Sequence, residues 1–514
     1  MAPSPEPGPR DMTATMPDSC GKPEHRFSPT LPRILQLPRE LRDLIYDHYF
    51  RLNGGYVYDF EANKLTQDDG TPISLSLVLT CRQIAHEVQG LALGVNPVTF
   101  SPFFSDATRE DAGLYHLIMQ GLTRVKKGLL LGLASQLLTS GMVETASEAY
   151  PHCAPIFDSW RSHGDLKIIN KIHVNSCGEA PSIWNEFISY VLDLISKHPR
   201  FLEVARSLRD FWNPHYGCRA LELNDARPQP WIIPDPVELK RLSFIADRTL
   251  LQCYSETKYS YSAATAALRF LHSLSDTARM ALRKIILRED RESVATPECH
   301  GRGFILFCQQ NPKLRIERFV SLWKNIFPTT PYRIMQWIFA NGKQMDINAV
   351  EDDRIPAGRI TGAVATWVAE ALVLPTLGMP EDSYILVLDG NPTPRHTNEL
   401  FRVVQRDMTW QSALDTAYVR GLLPEPSWLE RRRHRGYMFE GLPEAVANLS
   451  TNGSLIRCNF DPGLPYDVEV MLEEHRGWSL QDWDERWATH EPEEYQTESP
   501  LPPWHILRWQ YVMF

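Results

Sequence analysis

Tyr384-Ile385-Leu386-Val387-Leu388-Asp389-Gly390-Asn391 is an apolar run that ends in a turn, and helical periodicity follows from about His396 to Arg406. The run reads as a strand and the stretch after it as a helix. A strand, a turn and a helix in that order can present a ligand at the helix start. The glycine-rich loop that lets backbone approach a phosphate is missing, so the stretch reads as a packed strand and tight turn.

The same alternation extends outward through the chain. Lys167 to Val174, Cys218 to Leu223 and Leu282 to Leu287 are further extended candidates, each near a helical stretch. Ser182 is positioned to cap a helix whose Trp184, Phe187, Ile188, Val191, Leu192 and Ile195 form one apolar stripe ending at His198-Pro199. Gly128 to Val143 is apolar but broken by Ser135, Gln136, Thr139 and Ser140 and shorter than a bilayer span, so it reads as a core helix. Helices mixed with short extended runs predict an α+β fold over a pure helical bundle. A degenerate solenoid is the alternative arrangement, although no fixed period of twenty to fifty residues emerges.

A chain of 514 residues exceeds what one hydrophobic core supports, which predicts several. A formal net charge of -10 disfavours nucleic acid as the main partner, because phosphate binding needs Lys and Arg to displace counterions. Residues 1–30 are Pro-rich with almost no apolar periodicity and read as a disordered tail without a secretory signal. The nine cysteines are scattered without a Cys-x-x-Cys pair, as suits reduced thiols in a cytoplasmic or nuclear protein.

Candidate chemistry is sparse. Cys299-His300 is the most enzyme-like pair, yet sequence neighbours rarely face each other and no third orienting residue is identifiable. With Cys308 the pair offers at most three ligands and no zinc spacing, so neither a metal nor a cofactor is expected. No nucleophile elbow, zinc-protease helix, phosphate loop or dinucleotide fingerprint is present. Glu351-Asp352-Asp353 and Glu491 to Glu494 read as solvated surface runs. Arg431-Arg432-Arg433-His434-Arg435 reads as an exposed helix end or loop, with an import signal or an acidic-partner patch as alternatives. The dense tryptophans from Trp478 onward read as a docked tail.

Near the amino terminus, Pro38 precedes a one-sided helix carrying Leu41, Leu44, Ile45, His48 and Leu52. A second helix is expected after Ser74 with Leu77, Cys81, Ile84, Val88 and Leu91, ending at Gly94, before an extended Val98 to Phe100. Gly54-Gly55, a hairpin-like Tyr56-Val57-Tyr58 stretch and Asp68-Asp69-Gly70 lie between the helices.

Leu37-Pro38-Arg39-Glu40-Leu41-Arg42-Asp43-Leu44-Ile45-Tyr46, with Leu77-Val78-Leu79-Thr80-Cys81-Arg82-Gln83-Ile84, resembles the F-box-like opening of many fungal proteins. The stretches Leu282 to Glu292, Pro297 to His300, Asn311 to Arg318 and Leu388-Asp389-Gly390 are similar to later regions of uncharacterised proteins with the same opening. The resemblance implies a non-enzymatic substrate-recognition adaptor of a cullin-RING ubiquitin ligase. Leu37, Pro38, Leu41, Ile45, Leu79, Cys81 and Ile84 would then meet the Skp-type adaptor protein, and the body would hold an unknown protein substrate. The long insertion, and Ile84 where the family usually has tryptophan, motivate a second reading in which these helices pack within the chain's own core. An enzyme of unrecognised type is the third. The expected organisation is a tail over 1–30, an F-box-like module over 31–104, a mixed body over 105–330 and a C-terminal mixed region over 331–514.

Overall fold

The computed structural model describes residues 33–163, 178–208, 216–246, 258–328, 355–449, 454–489 and 494–509. The expected tail over 1–30, the extended candidate Lys167 to Val174 and the run Glu351-Asp352-Asp353 lie outside them. The chain divides into two compact units, Met1–Tyr49 and Phe50–Phe514.

In the first unit a short turn of 3-10 helix, Arg33–Gln36, leads through Pro38 into helix Arg39–Phe50. Glu40 in the first turn and His48 in the last complement the helix dipole. Arg42 Nη1 donates to the Leu37 carbonyl at 2.6 Å and Arg39 pairs with Asp43 at 2.7 Å, which fixes the entry into the helix.

In the second unit the expected hairpin is present, as strands β1 (Tyr56–Asp59) and β2 (Lys64–Gln67) in antiparallel register. Val98–Phe100 forms β3, which pairs in parallel with β1. Gly55 sits at φ +73°, and a side chain there would collide with the Pro97 carbonyl that accepts from the Tyr56 amide at 2.9 Å. The continuous helix expected from Ser74 to Gly94 does not form. Turns lead to helix Arg82–Glu87, and a separate helix Leu91–Val95 follows. Cys81 is extended where that helix begins, and Gly90 at φ 76° redirects the chain between the two. Buried Asn96 then donates to the carbonyls of Phe50 (2.7 Å) and Ala92 (2.9 Å) and accepts from the Leu52 amide (2.8 Å). One amide side chain thus satisfies three backbone groups that helix ends leave over.

Lys284–Glu289 (β4), Arg315–Ser321 (β5), Tyr384–Asp389 (β7) and Ile456–Cys458 (β8) complete a seven-stranded sheet of order β2-β1-β3-β4-β5-β7-β8. Ile355–Pro356 (β6) and Glu494–Tyr495 (β9) form a separate antiparallel pair. Every neighbouring pair in the large sheet except β1 and β2 is parallel. The α+β class therefore holds. Seven of the nine described strands form one open sheet in place of the stacked repeats of a solenoid, and it runs across both boundaries expected at 104/105 and 330/331.

Alternation along the strands decides which face is buried. Ile285, Leu287, Ile316, Val320, Leu386 and Leu388 share one core with helices Ala263–Ser273, Ala357–Leu372 and Pro394–Val419. Lys284, Ile286, Glu317 and Ile385 point the other way and stay half-exposed, with Lys284 and Glu317 paired at 2.7 Å. On the buried face, Glu289 accepts two bonds from Arg318, at 2.7 and 3.1 Å, and the amides of Ala263 (3.0 Å) and Ala264 (3.3 Å). A carboxylate at that helix start meets both the dipole and the unpaired N–H groups.

Among the described residues three smaller cores accompany the main one, in line with the several cores expected from the chain length. Helix Arg109–Leu137, 29 residues long, serves two of them with its successive halves. It begins earlier than the expected Gly128 and stops before Val143, because Thr139 turns extended and caps helix Ser140–Ala149. The extended reading of Cys218 to Leu223 is also corrected. Gly217–Arg219 and Ala220–Asp225 are helical, and a short apolar run carries no period that separates strand from buried helix. The stripe expected from Trp184 to Ile195 is buried on helix Pro181–Ser196, started by Pro181 and not capped by Ser182. Trp483 and Trp504 are buried near the carboxyl end, and no described helix is long and apolar enough to cross a membrane.

Candidate functional site

Helix Arg39–Phe50 separates its side chains into two faces. Arg42, Tyr46 and Phe50, four residues apart, are buried, whereas Leu41, Leu44 and Ile45 are 47%, 67% and 42% exposed. Tyr49 extends this exposed row by one turn. Isolated apolar surface residues are ordinary, but a leucine-rich row at i, i+3, i+4 is the pattern of a helix that a partner groove receives. Of the residues expected to meet a partner, Pro38, Leu41, Ile45 and Leu79 are exposed, and Leu37 and Cys81 are half-buried. Ile84 is 3% exposed and cannot reach a partner. Its place as the apolar position of helix Arg82–Glu87 turns it inward. Leu44, outside the expected set, is the most exposed apolar residue of the first helix.

A second candidate lies in the body. A cavity of about 620 Å³ opens beside helices Arg109–Leu137 and Pro181–Ser196, a size typical of small-molecule sites. Among the described residues the parallel strands advance across the sheet without reversing order and make no switch-point crevice of the doubly wound kind, and helices and loops line the pocket. Its wall holds Lys126, whose Nζ donates to the Ala226 carbonyl at 2.6 Å and Ser189 Oγ at 3.3 Å. Burial lowers this ammonium to about 7, reinforced by the nearby Arg227 charge. Glu370, also on the wall, accepts from the Ser182 amide and hydroxyl at 2.7 Å each, and burial raises its carboxyl to about 7. Arg302 pairs with Glu186 at the same cavity and lies 5.8 Å from the Trp231 ring. Sequence reasoning missed Lys126 and Glu370. Glu370 was marked by a single charge inside an otherwise apolar helical run, whereas Lys126, with Arg124 and Lys127 close by, carried no such signal.

The enzyme-like pair is held apart by its own bonds. His300 is fully buried, with Nδ1 2.7 Å from Ser262 Oγ and Nε2 donating to the Ala295 carbonyl at 2.9 Å. Both ring nitrogens are thereby engaged, and burial lowers the imidazole to about 3. Cys299 donates to the Thr296 carbonyl at 3.2 Å, and burial pushes its thiol up, away from thiolate.

The turn after β7 closes on itself as expected. Asp389 accepts from the Asn391 amide (3.0 Å) and from Asn459 (2.7 Å), and Gly390 accepts from Thr397 (3.0 Å). The basic cluster does not form the exposed patch its sequence suggests. Arg431 pairs with Asp415 at 2.9 Å, Arg432 is buried over the Trp428 ring at 4.2 Å, and His434 meets the Tyr418 hydroxyl at 2.9 Å. Comparison with protein-family models, curated proteins and solved structures finds no match for this chain.

Proposed function

We propose that this chain is a non-enzymatic interaction protein, the substrate-recognition adaptor of a cullin-RING ubiquitin ligase acting in the cytoplasm or nucleus. The observation that carries the reading is the exposed row Leu41, Leu44 and Ile45, on the helix that bears the F-box-like sequence. An apolar helical face left in water gains free energy by entering a groove, at about 25 cal/mol per Å² removed from solvent. In this reading the face receives the Skp-type adaptor protein, and the large second unit holds a protein substrate. The engaged nitrogens of His300 and the protonated thiol of Cys299 support a non-catalytic role.

A second reading draws on the other half of the F-box-like stretch. Ile84 and Val88 are buried, and β1 and β3 belong to the main sheet, so residues 50–104 serve the chain's own core. The two readings separate in one experiment. Full-length protein mixed with a Skp-type adaptor co-elutes with it as a complex if the first reading holds. Separate elution, under conditions where an established F-box protein does form a complex, refutes it in favour of the second.

A further inference from the structure

His396 lies in the first turn of helix Pro394–Val419 and is 8% exposed. Its Nε2 donates to the Gln496 carbonyl at 2.6 Å, and its ring stacks on Trp323, with centroids 5.1 Å apart and planes 13° from parallel. Trp323 is held in turn by its bond to Thr397 Oγ1 at 2.7 Å. Orientation and tautomer are thereby fixed, leaving the lone pair on Nδ1. That nitrogen is buried without a hydrogen-bond partner. It faces two carboxylates, Glu399 at 3.6 Å and Glu498 at 3.4 Å, and the three ligand atoms lie within 4.8 Å of one another.

A neutral Nδ1 lone pair beside two anionic oxygens is repulsive, so a positive charge belongs between them. A proton on Nδ1 would draw either carboxylate to about 2.7–2.9 Å, the length of a charge-assisted bond. The observed 3.4 and 3.6 Å are longer. The edge of a tetrahedron around zinc is about 3.3–3.4 Å for metal–ligand bonds of about 2.0–2.1 Å, so Glu498 at 3.4 Å falls on it and Glu399 at 3.6 Å lies slightly beyond it. The Nε2–H bond to a backbone carbonyl is the outer contact that metal-bound histidines make.

We propose that His396, Glu399 and Glu498 bind a divalent transition-metal ion of the zinc class. Imidazole with carboxylates suits Zn²⁺, and three protein ligands leave a fourth position for water or a further donor. Two ligands sit at i and i+3 on one helix, and the third comes from the segment after β9. The ion therefore acts as a clip that fastens the segment carrying Gln496 and Glu498 to the start of helix Pro394–Val419. Fixing two segments so distant in sequence removes loop-closure entropy from the unfolded chain.

Titration of the metal-free full chain with zinc chloride, followed by calorimetry, tests this. The control is the Glu399→Gln/Glu498→Gln variant, whose altered side chains are exposed and whose fold is checked by circular dichroism. One Zn²⁺ is expected per clip, with at least about tenfold weaker binding at that site in the variant. Limited proteolysis is expected to show that Zn²⁺ protects the segment after residue 494 in the unmodified chain only. Absence of Zn²⁺ binding, or equal binding and equal protection in the folded variant, would overturn the proposal.

Discussion

Replacing Glu289 by leucine removes the carboxylate that pairs with Arg318 in the main core. Both side chains are fully buried, and the guanidinium keeps the carbonyls of Pro297 at 2.8 Å and Glu298 at 3.4 Å and the Tyr384 hydroxyl, with the Trp367 ring 4.8 Å away. An uncompensated buried charge costs about 3–5 kcal/mol. The amides of Ala263 and Ala264 lose their acceptor as well, at about 1–3 kcal/mol for each buried donor left unmet. These terms share one site and do not add, so a loss of about 3–5 kcal/mol is expected in urea unfolding followed by tryptophan fluorescence. Glu289→Leu combined with Arg318→Met removes both charges together. The pair is therefore expected to be more stable than Glu289→Leu alone by about 2 kcal/mol or more. A Glu289→Leu protein within about 1 kcal/mol of the unmodified chain, or a double variant whose loss equals the sum of the two single losses, would refute this reasoning.

The buried acid and amine of the cavity predict opposite pH slopes. Glu370 titrates at about 7 in the fold against 4.5 unfolded, so its contribution is present below 4.5 and is lost as pH rises through 7. Glu370→Gln is expected to flatten that decline, worth at most about 3 kcal/mol, in melts between pH 4.5 and 7.5; an unchanged slope would contradict the burial argument. Lys126 is depressed to about 7 from 10.5, so the unfolded chain binds more protons between those values and stability rises with pH there. Lys126→Met is expected to remove that rise. Thiol labelling of the native chain is expected to modify exposed Cys218 while sparing buried Cys299 and Cys308; rapid modification of Cys299 would restore the case for a reactive thiol.

What sequence revealed followed the strength of local periodicity. Tyr384 to Leu388 was legible as a strand because its apolar run is bounded by turn residues, Leu282 to Leu287 from its apolar Ile285-Ile286-Leu287, and the stripe on helix Pro181–Ser196 because six residues from Trp184 to Ile195 recur at helical spacing. Cys218 to Leu223 was misread because six residues cannot distinguish the two periods. The broken second helix hinged on Cys81 and Gly90, single positions whose backbone conformation a smooth apolar pattern hides. That β3 lies beside β4, far along the chain, is a long-range pairing that local pattern does not encode. The exposed row was half legible. Spacing identified Leu41 and Ile45 on an amphipathic helix, but its buried face proved to be Arg42, Tyr46 and Phe50, which leaves the leucines outside. His396, Glu399 and Glu498 went unnoticed because the third residue joins the first two only through the fold.

The most direct test of the account is the affinity of the full chain for a Skp-type adaptor, measured by calorimetry beside a Leu41→Asp/Ile45→Asp variant. Both residues are already exposed, so the variant is expected to melt at the same temperature as the unmodified chain. With less than half of each side chain still in water, burying the remainder of the two is worth about 1.5–3 kcal/mol, so binding is expected to weaken by at least about tenfold. Equal affinity in the folded variant, or no binding by the unmodified chain where an established F-box protein binds, would contradict the adaptor reading.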